Sequence, residues 1–78
     1  SGHGRYDLAM IPIKSNEKAY LMEFKISKTK KGMEERAQKA LKQIDEKKYD
    51  TKLKARGIKN ILKIGVAFYG KEVKVVFK

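Results

Sequence analysis

Apolar and polar residues alternate at both ends of this chain and recur at helical spacing in its middle, and that pattern sets an element order. Residues 5–13 are apolar-rich with Asp7 as their only acid, and read as a strand. Lys14-Ser15-Asn16 reads as a turn, and residues 17–26 as a second strand. Inside that strand, Tyr20-Leu21-Met22-Glu23-Phe24-Lys25-Ile26 carries a carboxylate and an ammonium two residues apart among apolar neighbours. Side chains alternate along a strand, so Glu23 and Lys25 share one face while Met22 and Phe24 take the other. Charges buried in an apolar strand are costly unless something pairs them. Either this is an edge strand with a solvated polar face, or it is half of a metal site.

The hairpin register bears on that choice. A three-residue loop at 14–16 pairs Ile13 with Glu17, and the continued ladder sets Asp7 opposite Glu23 and Arg5 opposite Lys25. Such loops commonly end in a left-handed residue, which Asn16 tolerates. Two carboxylates facing each other across strands repel unless a cation lies between them. A two-residue turn would instead move Asp7 to the other face. Pro12 lacks an N–H, so the first strand is expected to be exposed or irregular near the turn.

Residues 27–32 form a basic, polar connection. From Met33 to about residue 48 the spacing predicts a helix, with Met33, Ala37, Ala40, Leu41 and Ile44 on one stripe. Thr29 is placed to cap its start; Glu34 and Glu35 in the first turn and Lys47 and Lys48 in the last suit the helix dipole. Gln43 lies beside the stripe, on the edge shared with Arg36, Ala40 and Lys47. Tyr49 follows the helix, and residues 50–56 add a short helical turn ended by Gly57. Residues 61–69 form a strongly apolar, central strand, Gly70-Lys71 a tight turn, and residues 72–78 an outer antiparallel strand. The order strand–strand–helix–strand–strand permits a right-handed parallel crossover between the second and third strands. The expected fold is α/β (α+β), a mixed four-stranded sheet with a helix on one face, in a single domain over residues 1–78.

Composition narrows the function classes. Seventy-eight residues make one small domain, without cysteine and therefore without disulfides or thiolate metal sites. The one histidine, His3, sits between glycines and reads as a loop residue, which excludes two-histidine sites. No apolar run reaches membrane-spanning length and no signal sequence opens the chain, so a soluble, cytoplasmic protein without a membrane partner is expected. The net charge of +11 concentrates in residues 28–60, at net +7, against +1 before and +3 after. It favours a polyanion, nucleic acid first and an anionic membrane surface second, although lysine-rich solvated surfaces also occur in thermophile proteins.

The candidates then collect as Asp7 and Glu23 on facing strands, Lys25 two places on, and Gln43 and Tyr49 on and after the helix. Two carboxylates and a backbone carbonyl suit a hard cation such as Mg²⁺, which keeps several waters. A nearby lysine can orient or deprotonate a metal-bound water and stabilise charge developing on a phosphate. Gly4-Arg5-Tyr6-Asp7, Met22-Glu23-Phe24-Lys25 and Gln43-Ile44 with Tyr49 resemble the PD-(D/E)XK nuclease superfamily. More closely, they resemble the C-terminal nuclease-like domain carried behind AAA-ATPase-like modules. The likeness covers nearly the whole chain, including Ala40-Leu41-Lys42-Gln43-Ile44, Lys48-Tyr49 and Ile64-Gly65-Val66-Ala67-Phe68.

That resemblance implies Asp7 and Glu23 as ligands of Mg²⁺ or Mn²⁺, the Phe24 carbonyl as a further ligand, and Lys25 as the catalytic lysine. It makes Gln43 and Tyr49 accessory residues; Arg5 either neutralises Asp7 or contacts phosphate. Tyr6 stands where the superfamily's name has proline. The resemblance further implies a restriction-endonuclease-like core lacking its first helix and a missing N-terminal ATPase-like module as partner. The leading expectation is metal-dependent phosphodiester hydrolysis of nucleic acid, DNA first. The alternatives are a non-catalytic nucleic-acid-binding module, or an interaction or assembly unit that forms homo-oligomers. The chain holds no Gly-rich phosphate loop for ATP.

Overall fold

The computed structural model describes residues 7–14 and 16–78. The elements run β1 (Leu8–Met10), β2 (Ala19–Ile26), α1 (Met33–Lys47), α2 (Tyr49–Ala55), β3 (Ile61–Tyr69) and β4 (Glu72–Phe77). The strands form one mixed sheet in the spatial order β1-β2-β3-β4. β2 and β3 are parallel, linked through the helices, and both outer pairings are antiparallel. The expected fold class is the one observed, and β3 is an interior strand.

β1 pairs Leu8 with Met22, Ala9 with Leu21 and Met10 with Tyr20. That is the ladder expected from an Ile13–Glu17 pairing, and its continuation sets Asp7 opposite Glu23. The turn itself differs. Pairing stops at Met10–Tyr20, so β1 falls short of residue 13 and β2 begins at Ala19 instead of Glu17. Pro12 has no N–H to give the ladder, Ile13 is fully exposed, and the chain reverses where the Lys14 C=O accepts the Glu17 N–H at 3.2 Å. Residues 1–6, and with them His3, Arg5 and Tyr6, lie outside the described residues.

α1 buries all five residues of the expected stripe: Met33, Ala37, Ala40, Leu41 and Ile44. Its N-cap is Gly32, and Thr29 acts one turn earlier than expected, its Oγ1 accepting the Gly32 N–H at 3.0 Å. Ser27 supports this turn by donating its hydroxyl to the Thr29 carbonyl at 2.6 Å. Lys48, at φ 55°, is left-handed and breaks the helical path, so α2 starts at Tyr49 and folds back over the core before Gly57, at φ 91°, ends the helical segment. Leu21, Ile44 and Leu53, all fully buried, centre the core, each stabilising it by about 1.5–3 kcal/mol.

α1 lies against the sheet at Gly65. A Cβ there would collide with the Ala37 carbonyl oxygen and sit 2.7 Å from the Leu41 nitrogen, so only glycine lets helix and strand backbones approach this closely. Gly65 is also the β3 partner of Glu23, which places Glu23 under the helix. The opposite face bears Leu8, Met10, the even-numbered residues of β2 and β3, and Val73, Val75 and Phe77. Every one is apolar or aromatic, and Phe24 and Phe68 meet edge-on there with ring centroids 6.1 Å apart.

Candidate functional site

The backbone of β2 organises the site. The Ala19 N–H bonds the Asn60 carbonyl and the Ser27 N–H the Phe68 carbonyl, so odd-numbered residues turn their main-chain groups to β3. Even-numbered ones turn theirs to β1. The Phe24 N–H follows this rule and donates to Asp7 Oδ2 at 2.8 Å. Asp7 is thereby anchored to the peptide that follows Glu23, and the Phe24 carbonyl points to the same side of the strand. Carboxylate and carbonyl oxygens are the donor type that Mg²⁺ or Mn²⁺ takes, but both Glu23 oxygens lie against Lys47. No three His, Cys, Asp or Glu side chains among the described residues gather as a ready-made cation cage. A divalent ion held here would complete its shell with water and substrate oxygens.

Glu23 is 5% exposed. Its partner is Lys47 at the end of α1, whose Nζ lies 3.0 Å from Oε1 and 3.2 Å from Oε2. The two side chains are 7% and 16% exposed, so this is a nearly buried ion pair that spans 24 residues of sequence. Sequence reasoning put Lys47 on the helix edge shared with Gln43 and Arg36 but did not link it to Glu23. The available signal was that edge itself: a flank next to the apolar stripe faces the sheet, and a buried glutamate needs a cation.

Lys25 shares the helix-side face of β2 with Glu23 and is half-buried. It lines a hollow of about 310 Å³ together with Arg36, Lys39, Lys42, Gln43 and Glu46. Lys25 and Gln43 are thus brought together, whereas Glu23, paired with Lys47, does not line this hollow. Arg36 is fixed by its Nε, which donates to the Ile26 carbonyl at 3.1 Å. Tyr49 opens α2, and its side chain lies outside what the structure describes, as does the whole of Arg5.

A second charged cluster covers the far end of the sheet. Lys63 contacts Asp45 at 2.7 Å and Asp50 at 3.1 Å, and Lys78 also bonds Asp45. Hydrogen bonds from Lys63 and Lys78 hold the Asp45 carboxyl below its ordinary value. Burial pushes the Lys63 ammonium down, but Asp45 and Asp50 together outweigh it and the net shift is upward. No helix among the described residues is long and apolar enough to cross a membrane.

A family model described as the PD-(D/E)XK nuclease superfamily matches residues 1–78. The mixed sheet with its parallel β2–β3 crossover is consistent with that fold. No curated protein and no solved structure matches the chain.

Proposed function

From a chain that belongs to the PD-(D/E)XK nuclease superfamily, we propose a metal-dependent phosphodiesterase site acting on nucleic acid, DNA first. The observation that carries this reading is the Asp7 carboxylate held on the Phe24 N–H, one peptide from Glu23. Asp7, Glu23 and the Phe24 carbonyl would hold Mg²⁺ or Mn²⁺, which supplies Lewis-acid polarisation and neutralises phosphate charge. Lys25, on the same face as Glu23, places an ammonium where negative charge develops on the phosphate, and its three donors can orient an attacking water. Gln43, across the hollow from Lys25, offers both a donor and an acceptor to a substrate phosphate or base edge. Lys47 balances Glu23 when no other cation does, which keeps the buried carboxylate tolerable in the folded chain. A neighbouring AAA-ATPase-like module, implied by the sequence resemblance, would supply the ATP use for which this chain has no loop.

The test is cleavage of a labelled duplex with Mg²⁺ or Mn²⁺ by the unsubstituted chain, by Asp7→Asn and by Lys25→Met. Metal-dependent cleavage that both substitutions abolish supports the proposal; cleavage that survives Asp7→Asn refutes it.

The Lys47 contact with both Glu23 oxygens favours a second reading, a non-catalytic nucleic-acid-binding module on a nuclease fold. In that case Lys47 permanently occupies the carboxylate. Duplex binding that is salt-dependent, indifferent to Mg²⁺ and unaltered in Asp7→Asn would select it.

A further inference from the structure

Among the described residues, two lysine-rich hollows differ in where their counter-charges lie. In the one lined by Asp50, Lys54, Lys59, Ile61, Lys63 and Lys78, three of the lysines are spent on acids. Lys63 and Lys54 reach Asp50, and Lys63 and Lys78 reach Asp45. In the other, Lys25, Arg36, Lys39 and Lys42 converge, and Glu46 is the acid among its described lining residues. Among the described residues no ion pair engages Lys25, Lys39 or Lys42, and Arg36 spends one donor on the Ile26 carbonyl. A concave surface that gathers four cations around one carboxylate, when the other hollow's lysines are matched by Asp45 and Asp50, is electrostatically unfinished.

Its direction is also fixed. α1 runs back along β2, with Arg36 tied to Ile26 at one end and Lys47 tied to Glu23 at the other. The eleven residue steps from one anchor to the other rise about 16 Å along the helix axis. Arg36, Lys39 and Lys42 follow at three-residue intervals, so their Cα atoms step along the helix axis about 4.5 Å at a time. A row of cations on flexible stems can meet successive phosphates of one strand.

We propose that this hollow is the seat of the nucleic-acid backbone, with Arg36, Lys39 and Lys42 gripping consecutive phosphates and leading the strand to Lys25 and Glu23. The assignment rests on the nuclease reading for what happens at the end of that track. The grip itself is independent of cleavage and can be measured without it.

The experiment is fluorescence anisotropy of a fluorescein-labelled mixed-sequence DNA duplex, in EDTA, across a salt series. The full chain carries Asp7→Asn throughout. Each phosphate contact contributes about 0.9 to the slope of log affinity against log salt. Lys39→Gln with Lys42→Gln is expected to weaken binding at low salt by about tenfold or more and to lower that slope by about 2. A control pair of equal charge loss elsewhere, Lys59→Gln with Lys71→Gln, is expected to leave the slope unchanged. Both control residues are exposed and stand outside the hollow. An unchanged slope in the groove pair, an equal loss in the control pair, or no binding at all by the parent chain would each overturn the assignment. Failure of the nuclease reading shows instead as absent cleavage by a chain that still binds through the groove.

Discussion

Lys47 and Glu23 form an ion pair that ties the end of α1 to the candidate site, with the ammonium within 3.2 Å of both carboxylate oxygens. Removing one partner of such a pair leaves an uncompensated buried charge, which costs about 3–5 kcal/mol. Lys47→Met should therefore lower the melting temperature of the metal-free chain by more than about 10 °C, at the usual 4–8 °C per kcal/mol for domains of this size. Added Mn²⁺ should restore more stability to the variant than to the parent, since the vacated carboxylate then needs a cation. Differential scanning calorimetry with and without Mn²⁺ reads both effects, and an unchanged melting temperature in Lys47→Met would show that the pair is energetically idle.

Gly65→Ala should destabilise the chain by about 1–3 kcal/mol, because the new methyl meets helix backbone at Ala37 and Leu41 that cannot rotate away. Urea denaturation should show a lower midpoint with an unchanged slope. An unshifted midpoint would mean the helix rides on the sheet less tightly than its contacts indicate.

Lys48 holds a left-handed conformation that costs a side-chain-bearing residue about 1 kcal/mol. Lys48→Gly should relieve that cost and raise the urea midpoint slightly, in contrast to glycine substitutions inside α1. A loss of stability would indicate that the Lys48 side chain contributes more than its backbone strain takes away.

The Asp45 carboxyl is held below its ordinary value of 3.8 by Lys63 and Lys78. A depressed acid stabilises the fold above its unfolded value, and that contribution is lost as pH falls through the lower folded value. Lys63, raised above 10.5, contributes fully below that pH and loses its share as pH climbs through its folded value. In Asp45→Asn the acid limb between about pH 4 and pH 2 should flatten relative to the parent, as followed by urea midpoints. An identical acid limb in the variant would place the responsible carboxylates elsewhere.

What the sequence made legible were features with a local period. The α1 stripe, the bounds of β3 and the short turn at Gly70 all follow from neighbours a few residues apart. So does the β1–β2 register, because a strand that must keep Leu8 and Met22 on one face and Asp7 and Glu23 on the other admits few slips. The turn that closes this hairpin escaped, since Asn16 suits a three-residue loop while the ladder, with Pro12 beyond it, stops at Met10, three residues before Ile13. Lys47 escaped for a different reason. Its partner is 24 residues away, and in a chain with twenty basic residues nothing local marks the one that folds over a buried glutamate. Ion pairs of long side chains are decided by how α1 sits on Gly65, which is a tertiary fact.

The central claim is that Asp7 and Glu23 share a divalent cation, and calorimetric titration of the full chain with Mn²⁺ tests it most directly. Saturable binding near one ion per chain is expected for the parent, with loss in Asp7→Asn and in Glu23→Gln. Since Glu23→Gln also removes the charge that Lys47 balances, Asp7→Asn is the cleaner comparison. No measurable binding by the parent, or equal binding by parent and Asp7→Asn, would contradict the claim.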